Sequence, residues 1–331
     1  MTPRYHLSLA PLQFTAKPFF EPPSEALRFL PEGPRVLQNH PHGDGLLGWV
    51  AIQHASDVLE GSLNVLDLAT LQNRSIPLPG RPGFFCETTQ PGVVLVGMDR
   101  RLVYCDLLSG DMEETGITVT TDERVIINDG LAIEGGVLFG TKHLEFNQTI
   151  AALYYFDCAT RKVHTLLDGQ ICSNGKFFQR DASGATLIDI DSLPKTITNY
   201  RLDSNLTNIL ERSHVISPEL LPGFPDGLRP SADGKTVIVA FYNPEHTPDG
   251  CAQQIRLSDG AVDCEWRIPG SPRVTCPEFV GMNGKVMILF TTAVEGMSAE
   301  TRAIAPGAGS MYIAETPFTT LPSAPPVLFK H

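Results

Sequence analysis

Three short stretches of this chain set an oxygen-bearing side chain just ahead of a glycine and a β-prone run. They are Asn128-Asp129-Gly130 in "VIINDGLAIEGGVLFGT", Asn174-Gly175 in "ICSNGKFFQRDASGATLIDID" and Asp226-Gly227 in "GFPDGLRPSADGKTVIVAFY". They recur at intervals of about fifty residues, the spacing of a structural repeat. Oxygen donors gathered at one point suit a hard divalent cation. Asn128, Asn174 and Asp226 carry only one negative charge between them, so a second carboxylate is expected. Asn-Gly and Asp-Gly are also common turn dipeptides, and any one of these alone reads as a turn. Three in register, each followed by a strand, a tight turn and a second strand, favour a shared site instead.

The elements that must position these residues are strands. Helical periodicity is almost absent; "SPELL" is one short candidate. Runs such as "GLLGWVAIQ", "GVVLVGMDRRLVYCDLLSGDMEE" and "KVMILFTTA" alternate with Gly, Pro, Asn and Asp turn signals. Four hairpins, "VLDLATLQNRSIPL", "VYCDLLSGDMEET", "YYFDCATRKVHTLL" and "IRLSDGAVDCEWRI", each read as the outer half of a four-stranded sheet. Such sheets bury both faces only when stacked radially. Dividing 331 residues by a repeat of about fifty predicts an all-β, six-bladed propeller of four-stranded antiparallel blades. The whole span 1–331 reads as one domain, with residues 1–28 and 315–331 as extended segments on the closing blade. In a propeller the innermost strands all start at one rim of the channel, so equivalent residues converge there.

The net charge of -12, with no basic cluster, argues against nucleic acid or an anionic membrane as partner. No apolar run reaches the roughly 20 residues of a membrane span. The start "MTPRYHLSLAPLQF" lacks the long apolar core of an export signal. Seven irregularly spaced cysteines fit reduced thiols, with Cys251 and Cys264 the one pair near enough across a hairpin to consider. The sequons at Asn73, Asn147 and Asn205 then have no secretory meaning, and the cytosol is the expected compartment. The expected partner is a small molecule; oligomeric state stays open.

The ordered motifs N-D-G, S-N-G and P-D-G, with "AALYYFD", "ADGKTVIVAFYNP" and "PRVTCPEFVG", resemble the senescence-marker-protein/gluconolactonase family. That family includes regucalcin, sugar-acid lactonases and luciferin-regenerating enzymes. The resemblance implies a six-bladed propeller with one catalytic divalent cation. The family's first ligand is a Glu in "L-G-E-G-P". Here "LPEGP" supplies Glu32, and an alternative alignment would use Asn39 in "LQNHP". By this likeness Glu32, Asn174 and Asp226 hold the metal, and Asn128 lies beside it facing substrate. Ca²⁺ is the favoured ion, with Mg²⁺, Mn²⁺, Fe²⁺ or Zn²⁺ as alternatives.

The implied chemistry is hydrolysis of a lactone or ester: the cation polarises the carbonyl and Asp226 accepts a proton from the attacking water. Isomerisation, dehydration or ring closure on the same site is the alternative, and a non-catalytic calcium-binding propeller the third reading. Two departures bear on the substrate. Sugar lactonases usually carry an Arg two residues before the N-D-G asparagine, where this chain has Ile126, with Arg124 further back. That points to a substrate with fewer hydroxyls than gluconolactone. In addition, "GTKHLEFNQTIAALYY" replaces a short "G-T-M" segment, so Lys142, His143 and Glu145 read either as the pocket entrance or as solvated loop charges, and Phe146, Phe177 and Phe178 add apolar bulk nearby. His40, His42 and Asp44 read as a surface loop.

Overall fold

A computed structural model describes residues 10–53, 58–181 and 184–330. Six sheets form a ring, each with an innermost strand lining the axis: Pro31–Val36, Pro82–Glu87, Val125–Ile133, Ser173–Asp181, Phe224–Pro230 and Val274–Met282 in blades 1 to 6. Neighbouring inner strands touch around the circle, and the last closes against the first. This is the predicted six-bladed propeller, and the four expected hairpins are the third and fourth strands of blades 1, 2, 3 and 5.

The sequence folds this way because the middle strands are apolar on both faces. In Val93–Met98 of blade 2, Val94, Val96 and Met98 pack toward blade 1, while Val93 and Leu95 pack toward blade 3. Side chains two apart share a face of a strand, so alternate residues fill opposite interfaces. Six apolar layers result, one between each pair of blades. At the outer turns an aspartate takes over: Asp67 accepts from the Ala69 and Thr70 amides, and Asp106 from those of Leu108 and Ser109. This side-chain-to-backbone pattern, repeated by Asp157, sets a tight turn after the third strand of blades 1, 2 and 3.

The chain ends differ from expectation. Leu12–Thr15 adds a fifth, parallel strand to blade 5, and Lys17–Phe20 then forms the outermost strand of blade 6. The later segment does not stay on the closing blade. Residues 321–326 cross the far end of the channel, and Leu328 bridges Thr88 of blade 2. Besides the short helix Pro218–Leu220 at "SPELL", helices lie at Glu25–Phe29 and Ala299–Ile304, capped by Ser24 and Ser298. All seven cysteines are free, so Cys251 and Cys264 do not pair.

Candidate active site

The inner strands share a local irregularity that builds the site. Each breaks register with its neighbour at the same height: at Glu32/Arg35, Pro82/Phe84, Ile127/Gly130, Ser173/Lys176, Pro225/Leu228 and Val274/Pro277. A bulge of this kind re-aims a side chain out of plain alternation. Asn128, Asn174 and Asp226 lie inside theirs and Glu32 at the edge of its own.

The glycines explain the other half of the motif. A Cβ on Gly175 would lie 2.5 Å from the Leu228 amide and 2.6 Å from the Asp226 carbonyl. One on Gly227 would collide with Cys276, and one on Gly83 with the Asn128 carbonyl. None of these glycines has a positive φ. They are therefore points where the backbones of adjacent blades meet, not turns.

Glu32, Asn128, Asn174 and Asp226 line one cavity of about 400 Å³ at the mouth of the channel. Leu30, Phe146, Leu193, Phe224, Pro225 and Tyr242 supply its apolar wall. The polar groups are oriented by the protein. Asn128 donates through Nδ2 to the Ser173 carbonyl at 3.0 Å, and Asn174 donates through Nδ2 to Ser192 Oγ at 3.1 Å. With both amide nitrogens engaged, both amide oxygens remain as acceptors. The Cys276 thiol donates to one oxygen of Glu32 at 3.1 Å. Asp226 Oδ1 is buried and has no hydrogen-bond partner among the described residues.

Burial, with the Asp129 charge adding, lifts the Glu32 carboxyl to about 8, against the opposing effect of the Cys276 hydrogen bond. Asp226 is raised well above its ordinary range, chiefly by burial and then by the Glu32 charge. A buried carboxyl of that kind is either protonated or, when ionised, held against a positive partner. The donor set, two carboxylates and two amide oxygens, fits a hard divalent cation. Among the described residues no three His, Cys, Asp or Glu side chains cluster as a metal site on their own, so the amides are needed to complete it.

Asn174 is held from behind. Lys176 Nζ donates to the Asn174 carbonyl at 2.6 Å and to Ser173 Oγ at 3.0 Å, and pairs with Asp189 at 3.1 Å, both charges fully buried. Gln170 and Ser173 donate to the two oxygens of Asp189. Beside Glu32, the Thr275 hydroxyl donates to the Pro31 carbonyl.

The other candidates lie elsewhere. Asn39 donates to the Thr88 carbonyl and is no part of the cavity, which favours Glu32 as the first-blade group. Ile126 is buried outside the wall. Arg124 is exposed, paired with Asp122 and bonded to Gln148. His143 is buried, its Nδ1 accepting from the Asn147 and Gln148 amides, so it staples the loop that carries Phe146. Glu145 accepts from Asn147 and faces solvent. Phe177 and Phe178 line a separate cavity at the far end. Ser192, Tyr242 and Glu295, with Lys142, are wall residues at or just after the ends of second strands, Gly136–His143 to Lys285–Thr292. Those strands run antiparallel to the inner ones and finish where the inner ones begin; that regularity is the signal that locates them.

Fold and mouth together define a six-bladed propeller with an oxygen-donor site on its axis. The SMP-30/Gluconolactonase/LRE-like region matches residues 30–294, and the chain belongs to that family. An L-arabinolactonase of Azospirillum brasilense is 24% identical over 245 residues, covering 72% of this chain and 76% of the relative. Regucalcin of Agrobacterium tumefaciens, described as a calcium-binding protein, superposes with a TM-score of 0.79 at 20% identity, over 96% of this chain and 99% of that one. A luciferin-regenerating enzyme superposes at 0.76 with 18% identity, over 95% and 100%. No described helix is long and apolar enough to cross a membrane.

Proposed function

We propose that this protein is a divalent-cation-dependent hydrolase that opens a lactone or ester of a small molecule in the mouth cavity. The observation that carries the reading is the convergence of Glu32, Asn128, Asn174 and Asp226 on one buried point with Asp226 Oδ1 unpartnered. Membership of a family with lactonases, and the arabinolactonase relative, support lactone opening over other chemistry.

Glu32, Asn174 and Asp226 would hold the cation, with Ca²⁺ favoured by the all-oxygen set. A cation bound there supplies Lewis acidity toward the carbonyl and acidifies water. Asp226, ionised by that charge, takes the proton of the attacking water through its free oxygen. Glu32 keeps its charge while the Cys276 thiol fixes its rotamer. Asn128, its nitrogen committed to Ser173, turns its oxygen toward the bound molecule. The apolar wall, which excludes Ile126, suits a substrate with few hydroxyls. A cavity of about 400 Å³ and a net charge of -12 suit a small-molecule partner, not nucleic acid; seven free thiols suit a reducing compartment such as the cytosol.

The test is Asp226→Asn, expected to keep the fold by circular dichroism and to lower turnover of lactones by 1,000-fold or more, on the order expected for a combined base and ligand. Hydrolysis in oxygen-18 water must leave label in the product carboxylate; unlabelled product would mean isomerisation or ring closure. Undiminished activity of protein shown metal-free by elemental analysis would sink the metal role.

A further inference from the structure

Among the described residues that line the mouth cavity, Lys142 is the one cationic side chain. It is 5% exposed and makes no hydrogen bond or ion pair with any described residue. Its ammonium lies over the Phe146 ring, whose centroid is 5.7 Å from Nζ. Its position is fixed at both ends: its strand residue faces Ile126 within blade 3 and bridges Cys172 of blade 4, while the His143 amide donates to the Ile171 carbonyl. The loop that carries Phe146 is stapled by His143, and Phe146 itself holds a φ of +53°.

The Lys142 ammonium has no hydrogen-bond acceptor among the described residues and opens onto the cavity, so a bound molecule that covers it would leave only the aromatic face, which offsets part of the cost of burying the charge. Lys142 is near enough to Glu32 and Asp226 for its charge to favour their ionised forms, yet it pairs with neither. Once those two carboxylates hold a cation, the ammonium has no counter-charge in the wall except Glu295, which it does not reach as an ion pair. The missing acceptor then has to arrive with the bound molecule.

We propose that Lys142 is a specificity residue that grips a carboxylate on the substrate, so that the substrate class is a compact lactone or ester bearing one carboxylate near the reacting carbonyl. This rests on the hydrolase reading above. A single ammonium in a wall that also holds Glu295 and the two ligand carboxylates matches a monoanion, and a phosphate would meet repulsion from the same acids.

Two lactones of one ring, one with a ring carboxylate and one with the matching carboxamide, test it on the metal-loaded protein. Wild type is expected to favour the carboxylate by about 10- to 100-fold in kcat/KM, the worth of a hydrogen bond to a charged group. Lys142→Met should erase that preference, and Lys142→Arg should retain most of it.

Calorimetry with glutaramate, a monoanion, and glutaramide, its neutral diamide, reads the same preference without turnover, and Lys142→Met should make the two bind alike. If neither lactone is opened but glutaramate is still preferred through Lys142, the hydrolase reading fails and the carboxylate assignment stands. If wild type does not discriminate in either assay, if a phosphorylated lactone is preferred, or if Lys142→Met weakens both members of each pair equally, the assignment is wrong and Lys142 serves only as a counter-charge to Glu32 and Asp226.

Discussion

Removing the cation should make this protein's stability depend on pH in a particular direction. In the unfolded chain the Glu32 carboxyl has its ordinary value of 4.5, and in the folded, metal-free protein about 8. Between those values the folded state binds the extra proton, so stability falls as pH rises across the window and the loss is complete above 8. At about 1.4 kcal/mol per pH unit, the gap amounts to about 5 kcal/mol from this one group. Unfolding entropy of about 2.1 cal/mol/K per residue over 331 residues converts that to a fall in Tm of about 7 °C.

Asp226 moves in the same direction, so the pair cannot do less than lower stability on the alkaline side. Saturating Ca²⁺ binds the ionised pair and should flatten the curve. The assay is calorimetry from pH 5 to 8.5, in chelator and in excess Ca²⁺, on wild type and on Glu32→Gln. The difference between wild type and variant reports Glu32 together with the part of the Asp226 shift that the Glu32 charge causes. Superimposable wild-type curves with and without Ca²⁺, or a chelator slope unchanged in Glu32→Gln, would refute the reasoning.

Two further outcomes follow from the channel's construction. Gly227→Ala forces a methyl into Cys276 and the Thr275 carbonyl, and should cost about 1–3 kcal/mol by chemical denaturation while weakening cation binding through the displaced Asp226. Gly116→Ala, with open space around it, should show no such loss of cation affinity. Lys176→Met leaves Asp189 charged, buried and without its cation, and should cost about 3–5 kcal/mol; Lys176→Met with Asp189→Leu should recover much of it, and a failure to recover would mean that the link to the Asn174 carbonyl matters more than the charge pair.

Much of the architecture is legible in the strands, because a two-faced apolar strand followed by an aspartate turn has few other uses. The convergence of Asn128, Asn174 and Asp226 is legible for the same reason, since one residue per inner strand recurs at one height, whereas Glu32 is legible only through the family resemblance. The neighbours of these residues are not. Counting by twos from Asn128 places Ile126 and Arg124 on its face, but the register breaks after Ile127, and Arg124 precedes the strand in a turn closed on Asp122. Glu145 belongs to a loop whose shape is set by His143, the last residue of its strand, accepting two amides, a contact with no local sequence pattern. The end segments also escape a local reading, because their partners in blades 2 and 5 are remote in sequence.

Blade 6 takes its outermost strand from Lys17–Phe20 and its other three from residues 274–315. During synthesis residue 17 leaves the ribosome early and has no edge to join until residue 315 follows. The circle therefore shuts last, at a seam held by one four-residue strand and by Leu12–Thr15 on the sheet beside it. That seam is where the ring should first part under mechanical load, and the place where a cut in the gene, with the old ends joined, would disturb the cation pocket least.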